Sequence, residues 1–168
     1  ATVSMQDNDD CSGAIALDLA DGQDVVAGST ASGATTDAES GDCGASTAPG
    51  LWYSAVGNGA PMSAGLCGST YDTKISVFSG DCGGVVCVAN NDDSCGLQSV
   101  ASWIPEEGTT YLILVHGFSS SAGDFTLTVE AVLAMQENDD CDGAIGLDLA
   151  AGQAVVAGTT ASAATADA

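Results

Sequence analysis

Basic side chains are almost absent from this chain. Lys74 is the single Lys or Arg in 168 residues, set against 23 Asp and Glu, and the formal net charge is −22. Nothing here can neutralise a run of phosphates, so nucleic acid is excluded as a partner. Adsorption to an anionic membrane surface is opposed for the same reason. Three uses of the charge stay open: solubility in high salt, binding of divalent cations, and colloidal repulsion. Histidine occurs once, at His116, and there is no nucleophile elbow, no His-Glu-x-x-His and no Gly-rich phosphate loop. Aromatics make up 5% of the chain, so its core is expected to be lean. No hydrophobic run is long enough to span a membrane and no signal peptide is present; Ala1 in place of an initiator Met marks a mature or excised segment. There is no Asn-X-Ser/Thr sequon, while the Ser/Thr-rich stretch 29–47 is a candidate for O-linked glycan. An apolar fraction of 45% is too high for a disordered acidic chain.

The strongest positive feature is a repeat. MetGlnAspAsnAspAspCys at 5–11 returns as MetGlnGluAsnAspAspCys at 135–141, and the match continues to residue 168 at a constant offset of about 130, with about 27 of 38 aligned positions identical. The chain therefore reads as one full unit, 1–130, followed by the start of a second, 131–168. That second segment is expected either to open the next bead of a tandem array or to act as an arm that mimics the N-terminus. Its junction residues are taken to be Leu133, Met135, Ile145, Leu147, Leu149, Val155 and Val156.

The seven cysteines follow the same logic. Cys11, Cys43, Cys67, Cys82, Cys87 and Cys95 belong to the full unit, and Cys141 is the second copy of Cys11. An even count per unit in a light, Gly/Ser/Thr/Ala-rich chain predicts a disulfide framework and an oxidising, secreted compartment. The preferred pairing is Cys82–Cys87 across a short GlyGlyValVal loop, Cys67–Cys95 at two strand ends that each precede a glycine, and Cys11–Cys43 by elimination. A zinc site is the weaker alternative, because the spacings are not those of a zinc ribbon.

No window carries a helical period. Short alternating runs bounded by Gly, Asn, Asp or Pro recur every 8–12 residues, which predicts an all-β, jelly-roll-like sandwich of about eight or nine antiparallel strands. Strands are expected at 15–19, 25–26, 51–56, 61–67, 73–78, 85–89, 97–104, 111–115 and 124–129. Trp52, Tyr111, Phe78, Phe118 and Phe125 are expected to supply most of the core's bulk.

Taken in order, AsnAspAspCys, LeuTrpTyrSerAla at 51–55, the run from Cys67 to Cys82, CysValAlaAsnAsnAspAspSerCysGly at 87–96, GlyThrThrTyrLeuIleLeuValHisGlyPhe at 108–118 and GlyAspPheThrLeuThrVal at 123–129 resemble the bacterial pre-peptidase C-terminal domain group and its cysteine-bearing relatives in large secreted proteins. The resemblance covers nearly the whole unit. It implies a jelly-roll sandwich, secreted or on the cell surface, serving as a non-catalytic accessory or tandem module.

The acidic clusters are the best chemical candidates. Asp9 and Asp10, their copies Asp139 and Asp140, and the loop Asn91, Asp92 and Asp93 offer hard oxygens of the kind Ca²⁺ takes, although the spacing is not that of an EF-hand; solvated turns are the alternative. Lys74 is expected to pair with a carboxylate rather than to form an isopeptide crosslink. His116 beside Ser119, Ser120 and Ser121 reads as a strand-end histidine rather than part of a catalytic triad. Trp52, Tyr53 and Trp103 are either core or a sugar-binding platform, and alternation places one of Trp52 and Tyr53 inward and the other outward. The function expected is that of a non-catalytic repeat of an extracellular filament or surface fibre whose partner is itself. An adhesin-like stalk, a carbohydrate-binding module with a glycan partner, or a spacer on a secreted enzyme are the alternatives.

Overall fold

The computed structural model describes residues 6–37, 43–44 and 46–132. The chain divides into two units between Val132 and Leu133; the junction residues named above, with Asp139, Asp140 and Cys141, lie outside the described residues.

Among the described residues, ten strands form two sheets: β1 (Ile15–Ala16), β2 (Gln23–Ser29), β3 (Thr35–Thr36), β4 (Pro49–Val56), β5 (Met62–Gly65), β6 (Thr73–Ser79), β7 (Val86–Asn91), β8 (Val100–Trp103), β9 (Thr110–Gly117) and β10 (Asp124–Ala131). One sheet runs β1-β4-β9-β6-β7, with β3 also on β4; the other runs β2-β10-β5-β8. The expected β-sandwich is what forms.

β10 shows how the pattern works. Phe125, Leu127, Val129 and Ala131 are buried, while Asp124, Thr126, Thr128 and Glu130 are exposed or half-buried. A period of two puts one face on the core and the other toward water. The inner faces of both sheets meet in a single cluster that includes Tyr53, Ile75, Trp103, Ile113, Phe125 and Leu127.

The first sheet is covered on both faces where Trp52 and Tyr53 lie. Trp52 is 0% exposed and Tyr53 4%, so neither points to solvent. Alternation itself holds: Tyr53 lies in the inter-sheet core, and Trp52 lies in a second cluster on the outer face with Phe78, Leu112, Leu114, Cys11 and Cys43. That outer face is covered by chain from the N-terminal segment and from around Cys43. Phe118 corrects the expectation in the other direction, being 48% exposed. The expected strand 97–104 shrinks to β8, leaving Leu97 and Ile104 exposed, and the run 15–19 is a strand only at β1.

The N-terminal segment is a clasp. Gln6 starts it at one pole, where its backbone N–H bonds Gly33 O and its Nε2 donates to Ser29 O and Ser32 O. The chain then runs beside β4, with Ile15 opposite Tyr53 in parallel register and Leu17 N–H on Ser54 O. It turns at Leu19–Gly22, where Gly22 has φ 82 and its carbonyl accepts from Ala131 N–H at the other pole. It returns as β2, antiparallel to β10 from Gln23↔Glu130 to Ser29↔Asp124. The clasp thus closes the same edge of both sheets. The described chain enters at the Ser29/Asp124 pole and reaches Val132 at the Gln23/Glu130 pole, one full strand length away.

Three disulfides staple the unit: Cys11–Cys82, Cys43–Cys87 and Cys67–Cys95. The third is the strand-end pair read from the sequence. The other two replace the expected Cys82–Cys87 and Cys11–Cys43. The reason is the covered outer face: each of the two covering stretches brings one cysteine, and each ties to the β6–β7 hairpin. Cys87 on β7 stands opposite Phe78, whose side chain faces that layer, and so meets Cys43 rather than the turn residue Cys82.

Candidate functional site

Three groups of side chains were candidates for function: the clasp, the acidic loops, and the surroundings of His116.

The clasp is held by a few specific groups. Asn8, buried, brackets Trp52: its carbonyl accepts from Trp52 N–H at 2.8 Å and its Nδ2 donates to Trp52 O at 3.0 Å. Asp9 is also buried, and both of its carboxylate oxygens are taken by Thr35, from the backbone N–H and from Oγ1. Cys11 carries the bond to Cys82. Two glycines are required by space: a Cβ on Gly13 would lie 1.8 Å from Asp7 O, and one on Gly28 would lie 2.5 Å from Phe125 Cζ.

The acidic residues sort differently from the sequence expectation. Asp9 is committed to Thr35, and Asp10 is exposed. Asn91 Oδ1 accepts from Ser94 Oγ and Val100 N–H, so it shapes the loop. The carboxylates brought together are Asp72, Asp92 and Asp93, whose oxygens lie within 4.8 Å of one another. Asp72, at the start of β6, was not among the sequence candidates; its place before Lys74 on the strand facing the 91–93 loop was the available signal. Its carboxyl is held above the usual range by desolvation first, then by Asp92 and Asp93, with Lys74 opposing. Lys74 Nζ is 3.5 Å from Asp92 Oδ2 and 5.7 Å from the Phe118 ring centroid, so the single cation joins an ion pair and a cation–π contact. Phe118, Lys74, Ser46, Thr47 and Ser119 line a shallow cleft of about 370 Å³.

His116 is 1% exposed. Its Nε2 lies 2.9 Å from Ser76 Oγ, whose own proton goes to Cys43 O. Nε2 therefore carries the proton and donates to Ser76, which leaves Nδ1 as a bare lone pair with no hydrogen-bond partner. Ser76 is itself fully buried, and among the described residues no carboxylate hydrogen-bonds the ring. The arrangement is a core polar contact, not a poised nucleophile.

Protonating that ring would place an N–H in the core with nothing to accept it. Burial, with a smaller push from Lys74, lowers its pKa from 6.5 to about 4. In the unfolded chain the group titrates near 6.5, so the unfolded state binds more protons between the two values. The stability this group confers is complete above pH 6.5 and is lost as pH falls toward 4, by about 3 kcal/mol at most. Acidification also relieves carboxylate repulsion, so the comparison must be with a variant. In denaturant titrations from pH 7.5 down to pH 4.5, His116→Asn is expected to lose less stability than the native chain; parallel profiles would refute the assignment.

No family model matches the chain, and no curated protein does. The three buried aromatics, Trp52, Tyr53 and Trp103, leave no platform for sugar rings among them. No helix among the described residues is long and apolar enough to cross a membrane. Three disulfides place the unit in an oxidising environment.

Proposed function

We propose that this chain is a non-catalytic structural repeat of a secreted extracellular filament or surface fibre, assembling head-to-tail through its 131–168 segment. The observation that carries this reading is the placement of entry and exit at opposite poles. A unit that is entered at Ser29/Asp124 and left at Gln23/Glu130 advances along its own strand axis. Only residues 133–135 separate Val132 from Gln136, the copy of Gln6. A head-to-tail contact between copies that does not close yields a filament.

The exit pole carries exposed apolar side chains. Val56, Ile104 and Val132 are exposed there, around a cavity of about 330 Å³ lined by Leu17, Leu19, Val56 and Ala131. Asp18 and Asn58 also line that cavity, so the end face is mixed, with apolar side chains beside a carboxylate and an amide. The charge of −22 then keeps neighbouring fibres apart until salt or divalent ions screen it. The ordered resemblance to the pre-peptidase C-terminal group supports a non-catalytic module in a secreted protein.

The test is electron microscopy of the native secreted material. An eight-residue strand spans about 27 Å, and a three-residue link adds up to ~14 Å, so filaments with an axial advance of roughly 30–40 Å per unit are expected. Discrete particles of one or two units would overturn the proposal. A glycan-binding stalk is the second reading, favoured only by exposed Phe118 in the cleft beside Lys74.

A further inference from the structure

We propose that the cleft beside Phe118 binds a neutral sugar ring, which stacks on the exposed part of the phenyl ring and hydrogen-bonds to Lys74, Ser119 and Thr47. The inference goes beyond the filament reading and does not depend on it. A unit that presents this cleft would hold a saccharide whether or not units assemble.

Phe118 is the one aromatic side chain that the fold leaves exposed. A single exposed apolar residue needs no explanation by itself. This one, however, is held in place. It opens a tight turn in which Ser121 N–H bonds Phe118 O at 2.9 Å, and its own N–H is tied to Asp72 O. The next residue, Ser119, has φ 56 and is the only non-glycine at positive φ among the described residues. The Ser119 carbonyl accepts three bonds from the segment before β4: from Thr47 N–H, Thr47 Oγ1 and Ser46 Oγ. Gly117 has no room for a side chain, since a Cβ there would lie 1.9 Å from Ser121 O. A left-handed non-glycine backbone persists only where its surroundings over-determine it, and such places cluster at ligand sites. The result here is an aromatic ring fixed at the mouth of the 370 Å³ cleft, with Ser46, Thr47, Lys74 and Ser119 as its other walls.

The polar groups around the ring are only partly spent. Lys74 Nζ faces the Asp92 carboxylate at 3.5 Å, which leaves N–H donors of the ammonium free for a ligand. Thr47 Oγ1 gives its proton to Ser119 O and keeps acceptor lone pairs. A ligand that both donates and accepts, as a hydroxyl does, satisfies both. Charge selects a neutral one. A cation entering the cleft meets the Lys74 ammonium. An anion meets Asp92 with Asp72 and Asp93 grouped behind it, on a chain of net charge −22. A pyranose is neutral, carries hydroxyls on its rim, and offers a face of C–H bonds that packs on the electron-rich face of an aromatic ring. One such contact in a shallow cleft gives a dissociation constant in the millimolar range. Several copies on one fibre would raise it by avidity.

The test uses the full chain and saturation-transfer NMR. The probes are cellotriose, chitotriose and mannotriose, all neutral, with trigalacturonate as the anionic comparison, at equal millimolar concentration. Saturation is expected to reach at least one neutral probe, most strongly at the protons of one ring face, and to reach the anionic probe less. Phe118→Ala is expected to cut the transfer by about five-fold or more. Its thermal transition should stay where it is, because Phe118 belongs to neither core cluster. Phe118→Tyr keeps an aromatic face and should retain the signal, whereas Phe118→Leu keeps only apolar bulk and should lose it. Absence of transfer to every neutral probe would overturn the proposal. So would transfer unmoved by Phe118→Ala, transfer kept in full by Phe118→Leu, or a preference for trigalacturonate. None of these results bears on filaments, which microscopy reads separately.

Discussion

Reduction of the three disulfides at neutral pH, without denaturant, is expected to unfold the unit. The bridges span sequence separations of 71, 44 and 28 residues. In the chain-entropy account, loops of that size are worth about 3.5–4.5 kcal/mol each, and measured values cluster nearer 2–4. The loops overlap, so the contributions do not simply add. Even at ~2 kcal/mol apiece their sum rivals the lower end of the 5–15 kcal/mol that a domain commonly holds in reserve. The core is lean, and the outer layer depends on Cys11–Cys82 and Cys43–Cys87 to hold its covering segments down. Fluorescence from buried Trp52 and Trp103 is expected to shift to the red, with loss of the strand circular-dichroism signal. A thermal transition unchanged in chain shown to carry free thiols would contradict this account.

The second large effect is expected at Trp52. Its indole is fully buried, lies 5.6 Å from the Phe78 ring, and donates Nε1–H to Asp37 Oδ1 at 2.6 Å. Trp52→Ala empties the middle of the outer layer and is expected to cost about 3–5 kcal/mol. The urea midpoint should fall with an unchanged slope, since the surface exposed on unfolding stays nearly the same. The clasp is expected to stay in place, because Asn8 holds the backbone of Trp52 and not its ring. Peptide mapping should therefore still find Cys11 on Cys82. A loss below ~1 kcal/mol would mean that the outer layer is not a packed core.

The architecture was readable wherever one face of a strand is wet. In β10 the alternation of Phe125, Leu127 and Val129 with polar neighbours states the buried face directly. It was less readable where both faces are covered. Trp52 and Tyr53 obey the same alternation, yet nothing local says that chain from two distant segments roofs the outer side. The same hidden layer misdirected two of the three disulfides. Cys67 sits in the turn after β5 and Cys95 in the loop between β7 and β8, both next to a glycine, where local pattern is informative. Cys11 and Cys43 lie in covering segments whose paths are set by tertiary packing. The acidic residues show a third limit. Asp9 and Asp92 look alike in composition, but one is spent on Thr35 and the other stands with Asp72, Asp93 and Lys74. What each oxygen faces depends on residues 18 to 26 positions away, Thr35 for Asp9 and Asp72 and Lys74 for Asp92. For the residues of the N-terminal segment that the sequence shows again after 135, the structure adds what the first set does: they hold a clasp.

If the unit serves in a fibre as proposed, its opposed entry and exit poles set how it would carry tension. Tension applied at Gln6 and Val132 pulls along the direction in which β2 and β10 lie side by side, so their hydrogen bonds are sheared together and not unzipped one at a time. If that pairing yields, the Cys11–Cys82 bridge takes the force after five residues and short-circuits everything between positions 11 and 82. The slack a broken link can release is then about 190 Å, where the uncrosslinked chain would pay out about 440 Å. A fibre built from such links would stretch by short, bounded steps and keep its continuity after individual units give way.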